Sequence, residues 1–168
     1  GKTALMIAAH KGHLEILEML LETANPNLTD NKGYTALFYA VDGEQYNVIK
    51  HLVLAGSYIN YQEPKSGQTP LIRLASCSNN GNAKVAAALL ANGAAIDIQD
   101  HEGQTALIHA SYHNNLVPLA KLLLEKGASL DMRTKSGYTA HQIAESLRNY
   151  KIREVLEMCM MKPQQPGN

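Results

Sequence analysis

The tripeptide Gly-x-Thr occurs five times at near-constant intervals: Gly1/Thr3, Gly33/Thr35, Gly67/Thr69, Gly103/Thr105 and Gly137/Thr139, with spacings of 32, 34, 36 and 34 residues. A period of this length constrains the fold more than any composition figure, because every period is one copy of one small unit. Ala or Pro follows each Thr, and then usually Leu: Ala4-Leu5, Ala36-Leu37, Pro70-Leu71, Ala106-Leu107 and the divergent Ala140-His141. Ala stands five residues after the Thr at Ala8, Ala40, Ala110 and Ala144; the third unit has Leu74 there and Ala75 next. An apolar doublet or triplet closes each unit: Leu20-Leu21, Leu52-Val53, Leu89-Leu90, Leu122-Leu123-Leu124 and Val155-Leu156.

Each residue type has a physical role. Thr suits the start of a helix, where its hydroxyl accepts from free N–H groups of the first turn. Pro70 falls at a first helical position, where a missing N–H costs nothing. Small Ala residues allow close helix approach. Gly12 suits a left-handed helix end, and Leu14, Ile16, Leu17, Leu20 and Leu21 recur at helical spacing. Gly56, Gly93 and Gly127 follow the second helices, and polar turn sequences such as Asp100-His101-Glu102-Gly103 come next. One unit therefore reads as a short helix, a tight turn, a longer helix and an extended hairpin-like loop. Helices of two to three turns are marginal alone. Each must bury its apolar face on the next unit, so the chain should be an all-α solenoid.

Composition agrees with thin aliphatic layers rather than one large core: 45% of the 168 residues are apolar, with no Trp and one Phe. Lys+Arg and Asp+Glu number 15 each, and the balance holds in both halves of the chain. That excludes the basic stripe of a dedicated nucleic-acid binder and the polybasic segment of a membrane-surface protein. No apolar run approaches the ~20 residues of a membrane span. Gly1-Lys2-Thr3-Ala4-Leu5 is not a signal peptide. Cys77 and Cys159 are too few for a disulfide framework and fit a reducing compartment, cytoplasmic or nuclear.

The segment Lys2-Thr3-Ala4-Leu5 through Ala8-Ala9-His10-Lys11-Gly12-His13-Leu14 to Leu20-Leu21 resembles the ankyrin repeat family nearly position by position. Five registers in series extend the resemblance over residues 1–157. It implies four repeats starting near residues 1, 33, 67 and 103, a degenerate capping repeat near 137, and a disordered tail over 158–168. The stretch Gly67–Arg73 and Asn114-Asn115 faintly resemble ankyrin proteins that also carry fibronectin type III modules. The family's His at the helix start is replaced by Met6, Phe38, Ile72, Ile108 and Gln142, which should remove a polar network. Ser76 to Asn82 reads as a protruding loop, and Glu63-Pro64-Lys65-Ser66 as a hairpin one residue longer than usual. In the fifth unit Glu145, Arg148, Asn149, Lys151 and Arg153 suggest a polar outer face. The chain opens at the Gly of a repeat with no preceding cap, the expectation for a piece of a longer protein with further repeats or another domain before it.

Catalytic signatures are weak. His109 and His113 stand four apart, so one helix face should carry both, but no third metal ligand is evident. Cys77 reads as an ordinary exposed thiol, His101-Glu102 lacks a zinc-protease partner, and no phosphate-binding glycine motif occurs. Asn27-Leu28-Thr29 matches a glycosylation acceptor, against which the cysteine usage argues. The resemblance implies that Asn27, Asn60, Asp97 and Asp131 occupy a position often targeted by asparaginyl hydroxylation. It also implies a non-enzymatic, monomeric scaffold that binds a protein or peptide on its concave side, without cofactor, metal, nucleic acid, membrane or small-molecule substrate. The alternative is a regulatory or targeting segment of a larger enzyme or channel. The residues that should project there are Lys2, Tyr34, Gln68, Gln104 and Tyr138, with His10, Lys11, Asp42, Cys77, Ser78, Tyr112 and His113 near the first-helix ends. None of them should be needed for stacking. Tyr34, Tyr112 and Tyr138 are the strongest anchors, because Tyr joins apolar area to a polar tip.

Overall fold

The computed structural model describes residues 1–77 and 82–161. Among the described residues ten α-helices form five pairs: α1 (Ala4–Lys11) with α2 (Leu14–Leu21), α3 (Ala36–Asp42) with α4 (Tyr46–Leu54), α5 (Pro70–Cys77) with α6 (Ala83–Ala91), α7 (Ala106–Ala110) with α8 (Val117–Glu125), and α9 (Ala140–Ser146) with α10 (Tyr150–Met160). Odd helices pack on odd helices and even on even, so two layers run the length of an all-helical solenoid. No strand and no helix able to cross a membrane occurs among the described residues.

The Thr positions start the first helices as their chemistry requires. Thr3, Thr69, Thr105 and Thr139 hydroxyls accept from the N–H of Met6, Ile72, Ile108 and Gln142 at 3.2–3.4 Å. Thr35 makes no such bond. The polar network expected to be missing is partly rebuilt. Met6 Sδ and Gln142 Oε1 accept from the N–H of Thr3 and Thr139, closing two capping boxes. Phe38, Ile72 and Ile108 have no acceptor to offer and lie in the core.

Two turns between helices place a residue other than glycine in the left-handed conformation. Gly12 is left-handed as expected (φ 69°). In the second pair the left-handed residue is Glu44 (φ 56°), and the glycine stands one position earlier. A Cβ on Gly43 would lie 2.0 Å from the His10 carbonyl oxygen, so close approach of α1 sets its identity. In the fifth pair Arg148 takes the left-handed position (φ 57°).

Burial shows where the stabilisation lies. The second-helix positions Val48, Val85, Leu119 and Ile152 are all fully buried, as are Leu52, Leu89, Leu123 and Leu156. Their counterparts in the first pair face outward: Ile16 is 51% exposed and Leu20 half-buried. The same sequence position is thus core or surface according to whether a neighbour covers it. A fully buried aliphatic side chain contributes about 1.5–3 kcal/mol.

Three local expectations change. Ser76 and Cys77 belong to the last turn of α5 rather than to a loop. α7 ends at Ala110, because Ser111 donates its hydroxyl to the Leu107 carbonyl and yields its own carbonyl to Asn149 Nδ2 (2.8 Å). Asn149 is therefore buried and tied to the preceding unit, not part of a polar outer face. Helix α10 continues to Met160, and the expectation of disorder now concerns residues 162–168, outside the described residues.

Leu52→Ala should cost about 2–5 kcal/mol, whereas Ile16→Ala should cost less than about 1 kcal/mol, since it empties no closed layer. Urea unfolding of the two variants compares them; equal losses would contradict the stacking account.

Candidate functional site

The loops joining successive pairs end in tight tips. Each tip is closed by two backbone bonds: the N–H of Asp30, Glu63, Asp100 and Thr134 donates to the carbonyl of Tyr34, Gln68, Gln104 and Tyr138 at about 3.0 Å, and the N–H of Gly33, Gly67, Gly103 and Gly137 donates back to the carbonyl of Asp30, Glu63, Asp100 and Thr134 at 2.8–2.9 Å. A side-chain acceptor at the same position organises each turn. Asp30 Oδ1 accepts from the N–H of Lys32 and Tyr34, and Asp100 Oδ1 from those of Glu102 and Gln104 (2.8–2.9 Å). Thr134 Oγ1 accepts from Tyr138 N–H. The longer second tip uses the longer side chain: Glu63, 2% exposed, accepts from the N–H of Lys65, Ser66 and Gln68 and from the Ser66 hydroxyl.

The second carboxylate oxygen reaches the following helix. Tyr39 donates to Asp30 Oδ2 (2.7 Å), and His109 Nε2 meets Asp100 Oδ2 (2.8 Å). Burial works to raise the Asp30 and Glu63 carboxyls, but the hydrogen bonds gathered on each outweigh it, and both lie below their ordinary values. Burial, reinforced by Asp30, pushes the Tyr39 hydroxyl up to about 12.

The residues expected to be free for partners are tied into the array to different degrees. Tyr34 is half-buried: its ring stacks on Phe38 (centroids 5.2 Å apart), and Arg73 donates to its hydroxyl (3.1 Å). Asp42 takes the same Arg73 guanidinium through two bonds (2.8 and 3.1 Å), joining the second and third units. The paired carboxylate raises Arg73 against the opposing effect of burial. Lys2 Nζ lies 4.7 Å from the Tyr39 ring centroid, and His10 Nδ1 is 3.3 Å from the Tyr39 carbonyl oxygen. Gln68 accepts from Ser76. Stacking therefore uses several of these side chains, contrary to the expectation that it needs none.

Lys11, Cys77, Tyr112, His113 and Tyr138 remain exposed on the side of the tips and first helices, Tyr138 at 55% and Tyr112 at 37%. Gln104 donates to the Tyr112 hydroxyl (3.2 Å), and the His109 ring sits beside the Tyr112 ring. Burial raises the Tyr112 hydroxyl, with Asp100 adding to it. Ser78 lies outside the described residues. His109 and His113 do not share a helix face, because α7 stops between them and His113 is extended (φ −132°, ψ 117°). No group of three metal-ligating side chains occurs among the described residues.

Sequence reasoning passed over Arg73, the one side chain that gathers Tyr34 and Asp42. The loop amides Asn27 and Asn60 stand out in the sequence as one recurring position, but not as bonds between units. Asn27 joins the Gly56 carbonyl and Tyr58 N–H, both at 2.9 Å, and Asn60 accepts from Ala95 N–H (2.8 Å).

A sequence model described as ankyrin repeats (3 copies) matches residues 1–63, 43–133 and 72–163. The RelA-associated inhibitor of Mus musculus is 33% identical over 93 residues, 55% of this chain and 11% of that protein. The B-cell lymphoma 3 protein homolog of Mus musculus is 29% identical over 126 residues, 72% of this chain and 27% of that protein. The L-asparaginase of Dirofilaria immitis is 32% identical over 108 residues, 64% of this chain and 18% of that protein. The chain thus spans from about a tenth to about a quarter of the length of these relatives. The matches lend no support to a fibronectin type III association.

Asp30 and Glu63 have lowered folded-state values, so their stabilisation is complete above the unfolded carboxylate value of about 4 and is lost as pH falls below it. The urea midpoint should hold from pH 7 to 5 and then fall. Asp30→Asn and Glu63→Gln should lower the midpoint at pH 7 and flatten the acid limb. An equally steep limb in both variants would assign it to other carboxylates.

Proposed function

Since the chain belongs to the ankyrin-repeat family, whose repeats are protein-interaction modules, we propose that this array is a non-catalytic scaffold that binds a partner protein or peptide on its concave surface. The observation that carries this reading is the Tyr112–Tyr138 region. Two exposed tyrosines with His113 and Gln104 lie on neighbouring units that are held rigid from below by the tip bonds. A largely preformed surface loses little conformational freedom on association. Tyr presents large contact area with few rotatable bonds. Tyr34 is a weaker anchor in this reading, since Phe38 and Arg73 already occupy its ring and hydroxyl.

The relatives support partner binding of this kind. The name of the RelA-associated inhibitor states an association with another protein. The free cysteines, one exposed and one half-buried, support a reducing compartment, cytoplasmic or nuclear. The similarity to part of an L-asparaginase favours a second reading, in which the array is a regulatory or targeting segment of a larger enzyme. Sequencing upstream of Gly1 in the transcript separates the two.

The Tyr112→Ala/Tyr138→Ala double variant should retain at least tenfold less of the proteins that wild type captures from the source cells, as read by quantitative mass spectrometry. Its far-ultraviolet circular dichroism should be unchanged. Equal retention would remove the site from this region.

A further inference from the structure

Later units meet their predecessors through three kinds of contact, and the first unit presents the receiving half of each. The first contact is apolar. Ile16 stands where Val48, Val85, Leu119 and Ile152 are fully buried, and it is half in solvent. Ile7, equally exposed, stands where Tyr39 meets Lys2 and His10 of the preceding unit, and Arg73 meets Tyr34 and Asp42. The second contact is made by a loop side chain. Asn27, Asn60 and Asp97 Oδ1 accept from the N–H of Tyr58, Ala95 and Ser129 in the next unit (2.8–3.0 Å). Asn25 is the matching residue of the first unit, and its N–H donates to nothing among the described residues. The third contact runs from tip to tip. His101 N–H donates to the Ser66 carbonyl (2.8 Å) and Lys135 N–H to the Glu102 carbonyl (2.9 Å). Asn31 holds that position in the first loop, and its N–H likewise has no acceptor among the described residues. Gly1 already sits against it as a tip glycine does: an added Cβ would stand 2.7 Å from Asn31 Oδ1, as one on Gly67 would stand 2.4 Å from His101 Cδ2.

Ile7 also specifies the loop that fits in front of it. Where the tip residue is Asp, its second carboxylate oxygen meets a polar side chain nine residues on: Asp30 with Tyr39, and Asp100 with His109. Where the tip residue is Thr134, its one side-chain oxygen is used on Tyr138 N–H, and the residue nine on is the buried Ile143. Ile7 is of this second kind. A covered carboxylate facing it would keep an unpaired oxygen, which is costly, whereas a hydroxyl would not.

We propose that the α1–α2 face docks a further helix pair of the same kind. Its closing loop gives an Asn or Asp side chain to Asn25 N–H, a carbonyl to Asn31 N–H, and a hydroxyl residue at the tip facing Ile7. The interface is a continuation of the one that joins the other pairs. A single apolar helix would cover Ile16 but would satisfy neither loop N–H. A second copy of this chain does not fit either. Its free end offers Arg153, paired with Glu157 (3.3 Å), at the position where Leu17, Ile49, Ala86 and Ala120 are fully buried against the next pair. The docking face lies at the opposite end of the array from Tyr112 and Tyr138, and the inference stands whether the array is a scaffold or a segment of an enzyme.

The test joins a copy of residues 103–136 ahead of Gly1, which repeats the spacing of the fourth loop and supplies Asp131 and Thr134 at the two side-chain positions. Hydrogen exchange of the Asn25 and Asn31 amides, read by NMR of ¹⁵N-labelled protein, should slow at least tenfold relative to the original chain. Ile16→Asp in the fusion should return both rates to those of the original chain. Thr134→Asp in the added copy should give back at least threefold of the protection. The original chain should sediment as a monomer at the same concentration. Upstream of Gly1 the transcript should encode such a pair, with Asn or Asp six residues and Ser or Thr three residues before Gly1, as Asp131 and Thr134 precede Gly137. Unprotected amides in the fusion, protection that survives Ile16→Asp or is unchanged by Thr134→Asp, self-association that protects the same amides, or an upstream sequence without that pair and those residues would each overturn the proposal.

Discussion

Burial of one helix pair against the next is the interaction on which everything else in this chain depends. No pair encloses a core of its own. Val48, Val85, Leu119 and Ile152 are sealed only because another pair lies over them, and Ile16, at the same position in the first pair, is half in solvent. The layers are thin, so the side chains that fill them are Ala, Leu, Ile and Val rather than large aromatics. The fully buried Ala9, Ala40, Ala75, Ala110 and Ala144 bring the helices close. Close approach then dictates further residues, such as Gly43 against the His10 carbonyl.

A second, polar system runs along the loop tips. Its units are single carboxylates or hydroxyls that gather successive N–H groups, a cheap way to order a turn too short for a ladder of backbone bonds. Asp30 and Asp100 also reach forward to Tyr39 and His109, which couples these two tips to the helices that follow them. Loop amides repeat the device sideways. Gln62 donates to the carbonyls of Gly67 and Gln99, and Gln99 to those of Gly103 and Arg133. The surface of tips and first helices is therefore held by hydrogen bonds within and between units.

Much of this was legible before any coordinates. The period, the Thr starts and the Pro70 start follow from local chemistry. So do the left-handed Gly12 and the second-helix stripes. What local pattern did not show was which polar residues are spent on neighbouring units. Tyr34 reads as a free aromatic in the sequence, yet Arg73, 39 residues away, takes its hydroxyl. Asn149 reads as a polar cap residue, yet its amide reaches Ser111 across 38 residues. His109 and His113 have helical spacing, but the helix between them ends when Asn149 claims the next carbonyl.

The sequence alone determined the unit and its repetition, because helix starts, helix ends and apolar stripes depend on contacts within a few residues. It also fixed the balance of charge, since a count of Lys, Arg, Asp and Glu needs no fold to read. Only the tertiary structure decided which copies of a position are core and which are surface, and which side chains remain free for a partner. Those outcomes depend on what lies one period away in the stack, at distances of 30 residues or more along the chain.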